Sequence, residues 1–176
     1  LVSAARRMDE AAADIVDPMR EPVEIVQLMR RIGDDYAESL ESRMIEITVD
    51  AAGPMTLFAH QDLLELVFEN LLENAASFTP NGGAIRLFAQ QRDGVVHLMV
   101  EDNGPGVHAD DLERIFDRYY SRRDGQVAMR PAGVDPEHFG VGLWVVRRNI
   151  EAIGGTVTAE NLAIGGLSIR IKLPLS

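Results

Sequence analysis

Apolar residues recur at helical spacing in three stretches of the chain. Ile25, Leu28, Met29, Ile32 and Tyr36 predict a helix over about 23–41. Leu64, Phe68, Leu71, Ala75 and Phe78 mark a second over 62–78, stopped by the turn cluster Thr79-Pro80-Asn81-Gly82-Gly83. Leu143, Val146, Ile150 and Ile153 mark a third over 141–153, which ends at Gly154-Gly155. Elsewhere the period is two. Met44–Val49 and Met55–Phe58 read as strands, and a hairpin turning at Asp93-Gly94 carries Ile85, Leu87 and Ala89 against Val96, Leu98 and Val100. A strand over 156–161 is followed by a Gly165-Gly166 turn. In the last strand Leu167, Ile169, Ile171 and Leu173 face one way and Ser168, Arg170 and Lys172 the other. Residues 1–13 read as the tail of a longer helix, and Asp17-Pro18 and Glu21-Pro22 punctuate a linker. Residues 103–139 hold one short helix near 110–116, and so little structure inside a compact domain marks a functional segment or a disordered one. The fold class is α+β: a mixed sheet with helices gathered on one face.

Composition narrows the function. A hydrophobic share of 46% and a charged share of 26% suit an ordinary globular domain. No apolar run is long enough to cross a bilayer, so direct membrane insertion of this segment is not expected. The absence of cysteine removes disulfides and thiolate metal sites. A net charge of -11 disfavours a nucleic-acid partner but leaves room for a nucleotide, which needs only a local positive site. Of the 17 basic residues only Lys172 is lysine, so charged contacts to phosphate would come from arginine.

Four groups of residues could carry chemistry. Asn70, Asn74 and Ser77 share one narrow stripe of the second helix, where two carboxamides one turn apart can offer oxygens to magnesium. The same stripe also fits a solvated polar face. Asp102 ends its strand in register with Val96, Leu98 and Val100, which aims it at the core. A buried carboxylate needs hydrogen bonds. Beside the Asn103-Gly104-Pro105-Gly106 turn, it could read a purine amino group or simply end a strand. Gly140-Val141-Gly142 opens the third helix, leaving N–H groups free for phosphate, yet no Walker or dinucleotide fingerprint is present. Arg118, Arg122 and Arg123 lie in IFDRYYSRR and suit phosphate or solvent alike.

The order of these groups is more specific than any one of them. FENLLENAASFTP, EDNGPGV, IFDRYYS and FGVGLWVVRRNIEAIGG resemble, in that order, the N box, first glycine box, F box and second glycine box of histidine kinases in the GHKL ATPase superfamily. GGLSIRIKLP matches the family's usual last strand, and the resemblance covers about residues 23–174. It implies a Bergerat two-layer α/β sandwich, with a mixed five-stranded sheet and an ATP lid at roughly 107–139. It also implies that Asn74 chelates magnesium and that Asn70 stands where hydrolysing relatives carry a glutamate base. Asp102 would bind the adenine amino group, with Gly104, Gly106 and Val107 shaping the pocket. Phe116 would anchor the lid, Arg118 and Arg122 would serve the phosphates, and Gly140, Val141, Gly142 and Leu143 would close over them.

Three departures stand out. Ser77 occupies the usual N-box lysine position, His138 the place of a further glycine, and none of His60, His97, His108 and His138 has the His-Glu-x-x-Thr-Pro setting of a phosphoacceptor. The expected function is therefore the catalytic half of a two-component sensor kinase that uses Mg-ATP. Its partners would be the parent's dimerisation helices and a response regulator, in the cytoplasmic part of a membrane-bound sensor. Residues 1–22 would end the dimerisation helix and linker, and 23–176 would form the catalytic domain. Rival readings are a degenerate module signalling by contact and a clamp ATPase of gyrase or chaperone type.

Overall fold

In the computed structural model of the protein, residues 20–118, 120, 122–123, 126–127 and 141–175 are described, the two pairs 122–123 and 126–127 as strand backbone. The expectations for residues 1–19, for most of the lid, for Gly140 and His138, and for the side chain of Arg122 lie outside the described residues. The chain runs β1 (Glu21–Glu24), α1 (Ile25–Ser39), β2 (Glu46–Ala51), β3 (Thr56–Ala59), α2 (Gln61–Phe78), β4 (Ala84–Arg92) and β5 (Val95–Asp102). Two 3-10 turns follow at Ala109–Asp111 and Arg114–Phe116, then β6 (Arg122–Arg123) and β7 (Gln126–Val127), α3 (Gly142–Ala152), β8 (Thr156–Asn161) and β9 (Leu167–Pro174).

The main sheet has the order β2-β4-β5-β9-β8, with β2 and β4 parallel and every other pair antiparallel. A parallel pair needs a crossover, and β3 with α2 supplies it. Asp93 (φ 52) and Gly94 (φ 76) both take the left-handed conformation that a two-residue hairpin between β4 and β5 requires. Period-two patterning then places apolar rows across the strands: Leu87–Val100–Ile169 and Ala89–Leu98–Ile171–Val157. These rows face α1, α2 and α3, whose buried stripes include Met29 and Ile32, Phe68 and Leu71, and Val146 and Ile150. Each such large apolar side chain taken out of water contributes about 1.5–3 kcal/mol. Tyr36 joins α1 to α2 by donating its hydroxyl to the Glu69 carbonyl (3.2 Å), one residue before Asn70.

Three sequence expectations change. Residues 21–24 are not linker or helix but strand β1, paired antiparallel with β3 from Glu21↔Ala59 to Glu24↔Thr56. Pro22 favours extended backbone, and Glu24 then caps α1 by accepting from Val26 N (3.2 Å) and Gln27 N (2.7 Å). The short helix near 110–116 resolves into two 3-10 turns. Ser168 lies on the outer face as alternation predicts, yet it is fully buried, and its Oγ has no partner among the described residues.

Candidate functional site

The candidate residues lie on the middle and C-terminal end of α2, the C-terminal end of β5 and the start of α3, and the β8–β9 turn packs against the loop that follows β5. Asp102 pairs with Ile85 in the inward row of the sheet, so its carboxylate enters the core rather than solvent and is 6% exposed. Gly104 N donates to its Oδ1 at 2.8 Å, and Leu167 N reaches the same oxygen at 3.4 Å. Among the described residues no hydrogen bond reaches Oδ2. Burial raises the carboxyl above its ordinary 3.8, and the two N–H donors pull the other way. The result is a buried acid with one oxygen held by the fold and the other open to a donor from a ligand.

The loop after Asp102 lies very close to the end of α2. A Cβ at Gly104 would stand 2.6 Å from the Phe78 carbonyl oxygen, so a side chain there would displace the helix end. Arg43 holds that end from outside, donating to the Ala76 and Thr79 carbonyls (2.6 Å each) and to Asn81 Oδ1 (3.0 Å). Two of these bonds satisfy backbone carbonyls at the helix end that would otherwise be left open.

On α2, Asn70 and Asn74 are both half-buried on one face. Asn70 Nδ2 donates to the Leu66 carbonyl (2.8 Å), which fixes the amide so that Oδ1 points off the helix. That oxygen lies 3.2 Å from where a Cβ of Gly142 would be, so Asn70 faces the first turn of α3. Carboxamide oxygens suit magnesium, and no cluster of three histidine or carboxylate ligands occurs among the described residues. A cation here would need phosphate oxygens and water to complete its shell. Ser77 is exposed and donates back to the Glu73 carbonyl (2.8 Å), so the usual lysine position holds a short hydroxyl tied to its own helix.

Val141 caps α3 without a side-chain hydrogen bond, and the first backbone bond runs from Val145 N to Val141 O (2.9 Å). The N–H groups of Gly142, Leu143 and Trp144 therefore stand at the positive end of the helix beside Asn70. Phe116 is 1% exposed, with the Arg147 guanidinium 4.8 Å from its ring centre. Arg147 also meets Glu113 Oε2 at 2.8 Å, so the 3-10 turn Arg114–Phe116 is fastened to α3 at the residue before it. Arg118 is exposed, its guanidinium 5.1 Å from the Trp144 ring centre, and Arg148 is 5.3 Å from the same ring. Thus Gly142 at the start of α3 lies against Asn70 of α2, one turn from Asn74, while Asp102, Gly104, Gly106 and Val107 follow one another along the loop after β5, between the end of α2 and the β8–β9 turn. Val141, Leu143 and Phe116 are buried, and Arg118 lies over Trp144 of α3. Gly140 and the Arg122 side chain lie outside the described residues.

Sequence reasoning missed the contribution of the β8–β9 turn. Leu167 N meets Asp102, and Asn161 bonds Val107 through both side-chain atoms. The Gly165-Gly166 pair was the available signal, but it reads as an ordinary turn until the sheet brings it beside β5.

Residues 59–176 match the family described as Histidine kinase-, DNA gyrase B-, and HSP90-like ATPase. The signal transduction histidine-protein kinase BaeS of Escherichia coli (strain K12) is 34% identical over 154 residues, 88% of this chain and 32% of BaeS. The chain therefore spans about a third of that relative's length. Among solved structures, the mycobacterial sensor histidine kinase MprB is 25% identical with a TM-score of 0.73, covering 88% of this chain and 97% of that one. Full-length ShkA in complex with AMPPNP is 26% identical with a TM-score of 0.78, covering 98% of this chain and 34% of that one.

Proposed function

The chain belongs to the histidine kinase-, DNA gyrase B- and HSP90-like ATPase family, and we propose that it binds Mg-ATP as the catalytic domain of a sensor histidine kinase. The observation that carries this reading is Asp102, a buried carboxylate with Oδ2 left open at the base of a glycine loop that lies against the end of α2. Asp102 accepts the adenine amino group, and Gly104, Gly106 and Val107 let the base lie against the backbone. The free N–H groups of Gly142 and Leu143 receive phosphate oxygens. Asn74, one turn from Asn70, would hold magnesium, which would neutralise charge on the phosphates. Phe116 fixes the base of the lid, and Arg118 and Arg122 add positive charge beside the phosphates.

Asn70 is a carboxamide and cannot take a proton from water, so hydrolysis is slow. The productive reaction is in-line transfer, in which a histidine nitrogen bonds the γ-phosphorus as the bond to the β,γ-bridging oxygen breaks and ADP leaves. That histidine belongs to the dimerisation helices of the parent protein, which passes the phosphoryl group to a response regulator. The site works on the cytoplasmic side, where ATP is available, and no helix among the described residues is long and apolar enough to cross a membrane. The relatives reported above are sensor kinases, and Asn70 in the base position gives the gyrase-type reading no further support.

Titration calorimetry of the chain with ATP, with magnesium and with chelator, tests the binding half: saturable binding tightened by magnesium is expected. Incubation with γ-labelled ATP tests the transfer half. Acid-labile label should appear only when a helical hairpin carrying a phosphoacceptor histidine is added. Label on the isolated chain would refute the assignment of the acceptor.

A further inference from the structure

The loop from Asp102 to Val107 is held at both ends by the β8–β9 hairpin. At its start, Leu167 N meets Asp102 Oδ1 at 3.4 Å, and a Cβ at Gly166 would fall 1.9 Å from the Asp102 carbonyl oxygen. At its end, Asn161 donates Nδ2–H to the Val107 carbonyl (2.6 Å) and accepts Val107 N–H on Oδ1 (2.9 Å). One side-chain amide thus reproduces the two-bond pairing that a strand neighbour would make with Val107. Gly106 makes the contact possible. Its φ is +71, and a Cβ there would stand 2.6 Å from Asn161 Oδ1. Between the two anchors lies Asn103-Gly104-Pro105-Gly106, whose glycines carry no side chain to hold them.

We propose that Asn161 is a positioning residue for nucleotide recognition, a clasp that fixes the loop so that Asp102 Oδ2 is aimed before the ligand arrives. The inference rests on the reading of Asp102 as the adenine acceptor. Without the clasp, the loop samples other conformations, and ordering it becomes part of the cost of binding. Asn161 touches no nucleotide atom in this scheme. It acts through Val107 and Gly106.

The test titrates the full chain with ATP and with ITP, whose base lacks the amino group, in wild type, Asn161→Ala, Asn161→Asp and Asp102→Asn, recording melting temperatures alongside. Losing two amide hydrogen bonds should weaken ATP binding about tenfold in Asn161→Ala. ITP binding should change far less, so the preference for ATP shrinks. Asn161→Asp still accepts from Val107 N but cannot donate, and should fall between. The melting temperature should drop by no more than about 4 °C. A similar drop with ATP affinity and the ATP:ITP ratio unchanged means that Asn161 serves stability alone, and the inference is overturned. If Asn161→Ala keeps its affinity while Asp102→Asn loses it, the clasp idea fails and the Asp102 reading stands. If both variants keep it, the Asp102 reading fails and takes the clasp with it. Hydrogen exchange on the wild type decides the matter should Asn161→Ala not fold. The Val107 amide should be protected without nucleotide, and exchange as fast as an open loop overturns the inference.

Discussion

Asp102→Asn separates the binding role of this carboxylate from any structural one. The substitution preserves side-chain size and keeps an oxygen for Gly104 N, now 2.8 Å from Oδ1. It turns the second oxygen into an amide donor facing another donor, the adenine amino group. A hydrogen bond to a charged partner contributes about 1.5–3 kcal/mol, so ATP affinity should fall by about 10–150-fold. The effect on the free chain has the opposite sense. Burial raises the Asp102 carboxyl above its ordinary 3.8 in the folded state. The contribution of such a group to stability is fully present below the unfolded value and is lost as pH rises through the raised folded value. At neutral pH the ionised carboxylate therefore opposes folding, and asparagine removes that opposition. Asp102→Asn should melt no lower than wild type at pH 7 without nucleotide, with its relative advantage shrinking on acidification toward pH 4. Calorimetric titration and thermal melts across this range measure both quantities. A folded variant with wild-type ATP affinity would refute the pocket assignment. A variant melting far below wild type at pH 7 would show that the carboxylate is there to hold the fold.

Asn74→Ala should lose most of the gain in ATP affinity that magnesium provides while leaving binding in chelator nearly unchanged. Equal losses in the two titrations would remove Asn74 from the metal shell. Gly166→Ala meets a backbone atom, with its Cβ 1.9 Å from the Asp102 carbonyl at a φ of +110, so neither side can yield cheaply. Urea denaturation should show a loss of about 2–4 kcal/mol, and a loss below 1 kcal/mol would mean that the hairpin shifts freely. Glu24 is pushed up by burial but held below its ordinary 4.5 by N–H donors from Met55, Gln27 and Val26 and by Arg30. Its contribution is present above the unfolded value and is lost as pH falls through the lowered folded value. Glu24→Ala should cost about 1 kcal/mol at pH 7 and progressively less below pH 4.5, and an equal cost at both pH values would contradict the cap assignment.

Much of the architecture was legible from residue order because it depends on local periodicity. Period two in Val96, Leu98 and Val100 carried Asp102 inward, and the helical spacing of Leu64, Phe68 and Leu71 set the buried face of α2, leaving Asn70 and Asn74 on another. The glycines after β5 and Gly142 at the start of α3 marked where backbone must come close to something. None of these inferences needs knowledge of what lies across the sheet. Strand β1 was not legible, since Pro22 favours an extended linker as much as a strand and only pairing with β3 makes Glu21–Glu24 a strand. Nor was the contact of Asn70 Oδ1 with Gly142, or the two bonds of Asn161 to Val107 across 54 residues of sequence. The sequence by itself determined the faces of the helices and strands, because side-chain direction follows from backbone period. Only the tertiary structure decided which ends meet. The strand order β2-β4-β5-β9-β8 sets last-in-sequence β9 beside β5, and that adjacency makes a plain Gly-Gly turn and an edge asparagine into the support of the loop that follows Asp102.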